Sequence, residues 1–371
     1  MGTSSRTWIE ISGSALRRNL QTFADHVGPS VQIMAVLKAN AYGHGVGEVW
    51  QAIRSMNLWG LGVAYDDEAL ALRRLTTKRI LVLSYWSPQL LGRLVRAGIE
   101  LSVWDQPTLS LVLSRRKQKH RPKYHLKFDT GTSRIGFLDS QVRQVMRQFR
   151  GSKQVRPLGV FSHLANSEER PIRRTQLQIL RFATLIKHVP RKLGIEFHLA
   201  CTAASLRYQK AHFDLIRLGL GLYGLWPSPA IQEWSRAHLP EIRLHPALAW
   251  YSRLSQVKVI PAGRSIGYGS TVKVHRPTRI GIVPVGYADG YDRRASNTAW
   301  MMVRGRPAPV VGRVSMNLTA VNLERQPRAR PGDRTTMIGP GAEADRLASA
   351  MSMLNYEFVS RIHPSIERRL G

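Results

Sequence analysis

The chain has 371 residues, 43% of them hydrophobic, so it is globular rather than disordered and long enough for one large barrel or two ordinary domains. No stretch is long and apolar enough to span a bilayer, Met1 to Thr7 lack the apolar core of a signal peptide, and the single cysteine, Cys201, excludes an internal disulfide; together these predict a cytoplasmic protein with no membrane partner. The formal net charge is +31, but the basic residues are spread along the chain, and the densest run, Arg115 to Lys123, has no interleaved aromatic; this predicts a solvated basic surface and no specific nucleic-acid partner.

Short apolar runs recur through the first two-thirds of the sequence: Ile33–Leu37, Leu58–Ala64, Ile80–Ser84, Ile99–Val103, Tyr124–Phe128, Leu158–Ser162, Ile195–Leu199 and Phe213–Arg217. Stretches with helical spacing lie between them, among them Asp66 to Leu75, Pro88 to Ala97 and Gln176 to His188. Eight strands alternating with helices over about 220 residues predict an α/β architecture, an N-terminal (β/α)8 TIM-type barrel, over an open doubly wound sheet. After Gly224 the texture changes. Trp226-Pro227-Ser228-Pro229 and the polar stretch to Pro240 look like a connection. Beyond it, Ser252–Ile260, Ile280–Val285, Trp300–Arg304, Ala308–Val314 and Thr335–Ile338 predict a smaller C-terminal β-rich domain, with Glu343 to Met353 as its helix. The expected division is residues 12–240 for the barrel and 241–371 for the second domain, with residues 1–11 packing on the latter.

Unusual polar residues fall at the predicted strand ends. Lys38 follows the first apolar run; buried amines have lowered pKa values suited to nucleophilic chemistry, although by position alone a surface-seeking lysine fits as well. Lys127, His163, His198 and Arg217 occupy corresponding places on the same expected rim, where barrel enzymes carry their catalytic groups. No HxxxH spacing, cysteine pair or carboxylate cluster accompanies the histidines, so no metal is expected. After Arg217, the amides of Gly219 and Leu220 could cradle a phosphate, with Thr202 adding a hydroxyl; glycines needed only for a turn would look the same. A strand-end lysine beside a phosphate cradle is what pyridoxal 5′-phosphate requires.

Across nearly its whole length the chain resembles the bacterial alanine racemase family. The resemblance is carried by Val36-Leu37-Lys38-Ala39-Asn40-Ala41-Tyr42-Gly43-His44-Gly45, Lys127-Phe128-Asp129-Thr130-Gly131 with Arg134-Ile135-Gly136-Phe137, and Phe161-Ser162-His163. Further matches are Gly267-Tyr268-Gly269, Pro284 to Gly290, Gly312 to Met316 and Asn355-Tyr356-Glu357. It implies a pyridoxal-phosphate enzyme that interconverts L- and D-alanine with two bases, supplying D-alanine for peptidoglycan. Lys38 would carry the cofactor and act as the base on one face, and Tyr268 as the base on the other, reaching into the site of a second subunit in a homodimer. The same resemblance places Arg217 at the pyridine nitrogen and His163 behind the ring. Tyr42, Thr202, Gly219, Leu220 and Tyr356 would hold the phosphate, while Arg134 and the Met316 amide would bind the substrate carboxylate. Lys127 would be carbamylated, turning a repulsion with Arg134 into an attraction.

Three departures stand out: Thr132-Ser133 before the arginine, Cys201-Thr202 where Asn-Ser is frequent, and Asn317 where Asp is frequent. Thr202 can replace serine as a phosphate ligand, whereas Cys201 is expected as a small buried apolar filler. The alternatives are a broader racemase acting on serine, lysine or arginine, a barrel-type decarboxylase, and a nucleic-acid binder on an inactive scaffold. Arg217 argues against the decarboxylase, which would be expected to show an acidic residue there, and the intact site residues argue against the inactive scaffold.

Overall fold

The computed structural model describes residues 5–115, 118–149, 156–190 and 194–371; Arg116 and Lys117 of the basic run lie outside them. Eight parallel strands, Gln32–Val36, Gly60–Val63, Ile80–Val82, Glu100–Val103, Lys123–Asp129, Gly159–Phe161, Glu196–His198 and Leu215–Leu218, lie side by side in chain order. The eighth pairs with the first, Arg217 opposite Met34, which brings the sheet round on itself. Between the seventh and eighth the ladder thins to one bridge, Cys201 to Arg217. The result is a nearly closed barrel, and every one of the eight predicted runs overlaps one of its strands.

Local chemistry starts the helices between the strands. In Gly13–Val27, Ser12 accepts a hydrogen bond from the Ala15 amide, and Leu16, Leu20, Phe23 and Val27 line the buried face. Asp66–Arg73 opens with three acidic residues, favourable at the positive end of the helix dipole, and Asp105 caps Gln106–Ser114 through the Thr108 amide.

Inside the barrel, side chains from alternate strand positions meet. Such interiors are usually filled by branched apolar residues. Here Met34, Trp59, Leu81 and Leu215 form only a small apolar cluster, while Glu100, Ser102, His125, Lys127, His198 and Arg217 are all buried on the strands. Glycines clear space for them. A Cβ on Gly159 would lie 2.1 Å from His125 Nδ1, and one on Gly60 would lie 2.7 Å from the Cβ of Arg79.

The rest of the chain is β-rich, as expected. A six-stranded sheet runs in the order Arg306–Pro309, Trp300–Val303, Arg334–Ile338, Leu248–Arg253, Thr7–Ile11, Glu367–Leu370. The N-terminal strand thus sits between Leu248–Arg253, antiparallel, and Glu367–Leu370, parallel. A three-stranded sheet of Gln256–Ile260, Thr278–Val283 and Thr319–Asn322 forms a separate ladder, joined to the first among the described residues by a single bridge between Val310 and Val321.

Three local expectations change. The run Ser252–Ile260 is two strands in two different sheets, parting at Leu254-Ser255, because unbroken apolar patterning does not reveal a change of sheet. The connection after Trp226 contains a helix, Pro229–His238, in which Ser228 caps the Ile231 amide and Pro229 occupies the first turn. Proline and serine there are helix-start signals as well as loop signals. A second helix, Asn355–Ser360, follows Ala344–Ala350.

Asn19 ties the first barrel helix to the chain on both sides of the connection after Trp226. Fully buried, it donates through Nδ2 to the Leu222 carbonyl (3.1 Å) and the His245 carbonyl (2.8 Å), and its Oδ1 accepts from the His245 amide (2.8 Å). Asn19→Ala would strand these backbone groups and is expected to cost about 2–3 kcal/mol, measurable as a lowered urea midpoint.

Candidate active site

The first strand ends at Val36, and Lys38 opens a tight turn rather than closing the strand. Ala39, Asn40, Ala41 and Tyr42 all have φ between 51° and 55°. Four consecutive left-handed residues with side chains carry a strain of about 1–2 kcal/mol each, so their surroundings must hold them. Glu68 does much of this. Its carboxylate accepts from the Ala39 amide and from the amides of Ala64 and Tyr65 at the end of the second strand. Asn40 Oδ1 accepts from the Val46 amide (2.9 Å), and Gly43 packs so tightly on Val359 that a Cβ would lie 2.0 Å from its carbonyl oxygen. The turn therefore sets the direction of Lys38 and docks against Asn355–Ser360, the helix that carries Tyr356. Although Lys38 is accessible from the barrel mouth, groups packed around its amine strip away water. This desolvation, and then the charge of Arg134, lower its pKa.

Arg217 is buried at the end of the eighth strand. Nη1 donates to His198 Nδ1 (3.0 Å), and Nη2 to the carbonyls of Ser162 (2.8 Å) and Leu199 (2.9 Å), with His163 Nδ1 at 3.3 Å. Nε takes no protein partner among the described residues. Burial brings the guanidinium down to about 10, still cationic at neutral pH. Burial, then Arg217, pushes the His163 imidazole well below its ordinary range, so it is neutral. His198, expected on the rim, instead lies inside the barrel, stacked on Phe161 with ring centroids 4.7 Å apart.

Beside Arg217, the Thr202 hydroxyl accepts from the amides of Gly219 (3.1 Å) and Gly221 (3.3 Å). Leu220 begins the short turn that follows, so its amide is among the first-turn donors with no intrahelical acceptor. The cradle has no room for side chains: a Cβ on Gly219 would lie 2.8 Å from the Tyr42 hydroxyl, and one on Gly221 2.9 Å from Thr202 Cγ2. Cys201 is not the buried filler expected; it is half-buried, with Sγ 3.3 Å from Ser167 Oγ.

Lys127 donates to the Leu83 carbonyl (2.9 Å). Burial, then the charges of Arg217 and Arg134, bring its amine down to about 7. Arg134 is exposed on a loop organised by Asp129, whose carboxylate accepts from the amides of Gly131, Thr132 and Arg134. Partial burial opposes ionisation of Asp129, but the amides of Arg134, Gly131 and Ser133 outweigh it and lower its pKa.

The structure brings Lys38, Tyr42, Lys127, Arg134, His163, Thr202, Arg217, Gly219 and Leu220 to one mouth. Tyr268 and Met316 are elsewhere. Among the described residues no hydrogen bond, ring contact or charge interaction joins either to this group, and both are exposed, Tyr268 by 69%. Sequence reasoning missed Glu68 and Asp129 as organisers. Their signals were the acidic first turn at Asp66-Asp67-Glu68 and an Asp before Thr-Gly.

Together these features define a two-part barrel enzyme with a desolvated lysine at its mouth. Family models described as "Alanine racemase, N-terminal domain" and "Alanine racemase, C-terminal domain" match residues 11–227 and 247–370. A curated alanine racemase of Leptospira interrogans is 33% identical over 380 residues, covering 98% of this chain and 95% of that one. Among solved structures, the biosynthetic alanine racemase of Pseudomonas aeruginosa superposes with a TM-score of 0.89 at 33% identity, over 99% of both chains. The Bacillus anthracis alanine racemase with bound L-Ala-P superposes with a TM-score of 0.90 at 29% identity, over 100% of this chain and 96% of that one. The chain belongs to the alanine racemase family.

Lys127 makes a pH prediction. Below pH 7 its amine is protonated in both folded and unfolded chains, and the burial penalty is carried in full. Between about 7 and its ordinary value of 10.5 the unfolded chain binds the extra proton, so stability rises with pH. In bicarbonate-free buffer, denaturant titrations should show wild type gaining on the order of 4 kcal/mol relative to Lys127→Met across this window.

Proposed function

We propose that this protein interconverts L- and D-alanine with pyridoxal 5′-phosphate held at the barrel mouth, supplying D-alanine for peptidoglycan in the cytoplasm. The observation that carries the reading is the convergence of a desolvated Lys38 amine, a cradle too tight for side chains, and an Arg217 with one unused donor nitrogen. These fit the group's aldehyde, phosphate and ring nitrogen in turn. Thr202, Gly219, Leu220, Tyr42 and Tyr356 would hold the phosphate, His163 would back the ring, and Lys38 would hold the group covalently. When bound, pyridoxal phosphate supplies a conjugated ring that spreads the negative charge left when the substrate Cα proton departs.

The chain's own residues do the rest. Lys38 takes or gives the Cα proton on one face. Tyr268 of the partner subunit does the same on the other, since one residue cannot reach both faces of a planar centre. Arg217 stays protonated, so it offers the ring nitrogen a hydrogen bond and not a proton, which keeps charge withdrawal moderate and limits side reactions. Arg134, helped by the Met316 amide of the partner, would bind the substrate carboxylate. Lys127, partly unprotonated at neutral pH, can add to carbon dioxide, giving a carbamate and releasing a proton. That anion would sit among Arg217, Arg134 and Lys38 and hold Arg134 in place.

The homodimer is supported by exposed apolar side chains on two surfaces. Tyr65, Tyr85 and Leu138 follow barrel strands at the mouth, and Tyr287, Met316 and Leu318 lie on two turns joined by backbone hydrogen bonds in the β-rich part. Pairing two copies so that each β-rich part covers the other's mouth would bury both and bring Tyr268 to Lys38. On this reading residues 12–240 form the barrel unit, and residues 241–371 with the N-terminal strand form the unit that caps its partner. No helix among the described residues is long and apolar enough to cross a membrane.

Purified protein should show the visible absorption band of bound pyridoxal phosphate and racemise alanine in preference to serine, lysine and arginine. Lys38→Ala should abolish the band; a band close to wild type would refute the assignment. Tyr268→Phe should keep the band yet lose about 10²–10⁴ in racemisation rate, and full activity would rule out the two-base scheme. Carbon-13 bicarbonate should add a carbamate resonance to wild type and none to Lys127→Ala.

A further inference from the structure

Below Arg217, buried polar groups continue through the barrel interior to its opposite end. His198 Nε2 lies 3.0 Å from His125 Nδ1, and His125 Nε2 lies 3.0 Å from Glu100 Oε2. Glu100 in turn accepts from Arg79 Nε (2.8 Å) and Nη2 (3.1 Å). Arg79 also bonds Glu196 (2.9 and 3.1 Å) and lies over the Trp59 ring. Both imidazoles are fully buried, and Gly159 and Gly60 leave the space that His125 and Arg79 occupy.

The two ends determine every proton between them. A guanidinium can only donate, and an ionised carboxylate can only accept. Burial opposes ionisation of Glu100, but His125 and Arg79 hold its carboxyl at about 2. His125 must therefore carry its proton on Nε2, facing Glu100, and use Nδ1 to accept from His198. His198 must likewise carry its proton on Nε2 and present the Nδ1 lone pair to Arg217. A second proton on His125 would reverse the line and set an N–H of His198 against Nη1 of Arg217.

We propose that Glu100, anchored by Arg79, is a positioning residue for Arg217, acting through His125 and His198 to fix both as Nε2–H tautomers. The terminal nitrogens of Arg217 are thereby locked onto the barrel wall, and Nε is the donor left for a ligand. The inference rests on the reading of Arg217 as the partner of the cofactor's ring nitrogen. It adds that the aim of this donor is set from the far end of the barrel.

The test is nitrogen-15 histidine NMR of the holoenzyme, with His125→Asn and His198→Asn used to assign the two rings. Wild type should show Nε2–H, and no Nδ1–H, at both. In Glu100→Gln the amide can donate as well as accept, so an Nδ1–H population should appear at both rings. Its alanine kcat, taken per cofactor-loaded enzyme from the absorption band so that a smaller folded fraction does not count, should fall about tenfold with KM unchanged. An Nδ1–H or doubly protonated ring in wild type would overturn the proposal, and this measurement decides it even if Glu100→Gln does not fold. A folded Glu100→Gln with unmixed tautomers and wild-type kcat would also overturn it. Wild type without alanine racemisation would instead overturn the functional reading, leaving the tautomers to decide the positioning line.

Discussion

The guanidinium of Arg217 is buried at the barrel mouth without an ion pair among the described residues, and much of the interior is arranged to make that tolerable. An unpaired buried charge is costly unless its hydrogen bonds are met. Two carbonyls and two imidazole nitrogens meet them, while the carboxylate at the far end of the line, Glu100, is paired with Arg79. A carboxylate in direct contact would have consumed the donors and filled the place a ligand needs. Meeting the charge with uncharged acceptors keeps the mouth open.

The same mouth concentrates positive charge. Arg134 and Arg217 lower the pKa of Lys38, and with Lys38 they lower that of Lys127. Burial is the larger cause of the lowered lysine pKa values, and repulsion between these groups adds to it. Such a site favours anions, and it keeps lysine amines available as nucleophiles near neutral pH. The strained turn from Ala39 to Tyr42 belongs to this design. It is stabilised by Glu68 and by packing on Asn355–Ser360, and it aims one amine and one tyrosine hydroxyl into the same small space.

The β-rich part of the chain contributes nothing to its own barrel mouth through Tyr268 or Met316, both of which stand exposed. Its six-stranded sheet takes in both ends of the chain, so the N-terminal strand is held before the barrel begins. That arrangement makes the sheet a rigid support for turns whose apolar side chains have no cover within one subunit.

The barrel was legible in the sequence because eight apolar runs of strand length recur with helical spacing between them, and period is a local property. The strand-end residues Lys38, Lys127, His163 and Arg217 were legible too, since a charged or polar group after a buried strand stands out against its neighbours, and the family motifs named most of the rest. What no local pattern could contain was the company these residues keep. Glu100 and His125 look like interior errors within apolar strands until closure of the barrel sets them 3.0 Å apart and aligns them with His198 and Arg217. Glu68 looks like an ordinary residue of a helix first turn until it meets the Ala39 amide. The helix at Pro229 was hidden because its capping residues double as loop signals. Residue type and spacing determined which groups could do chemistry; only the closed barrel decided which of them touch, because those contacts join positions tens of residues apart that periodicity along the chain does not relate.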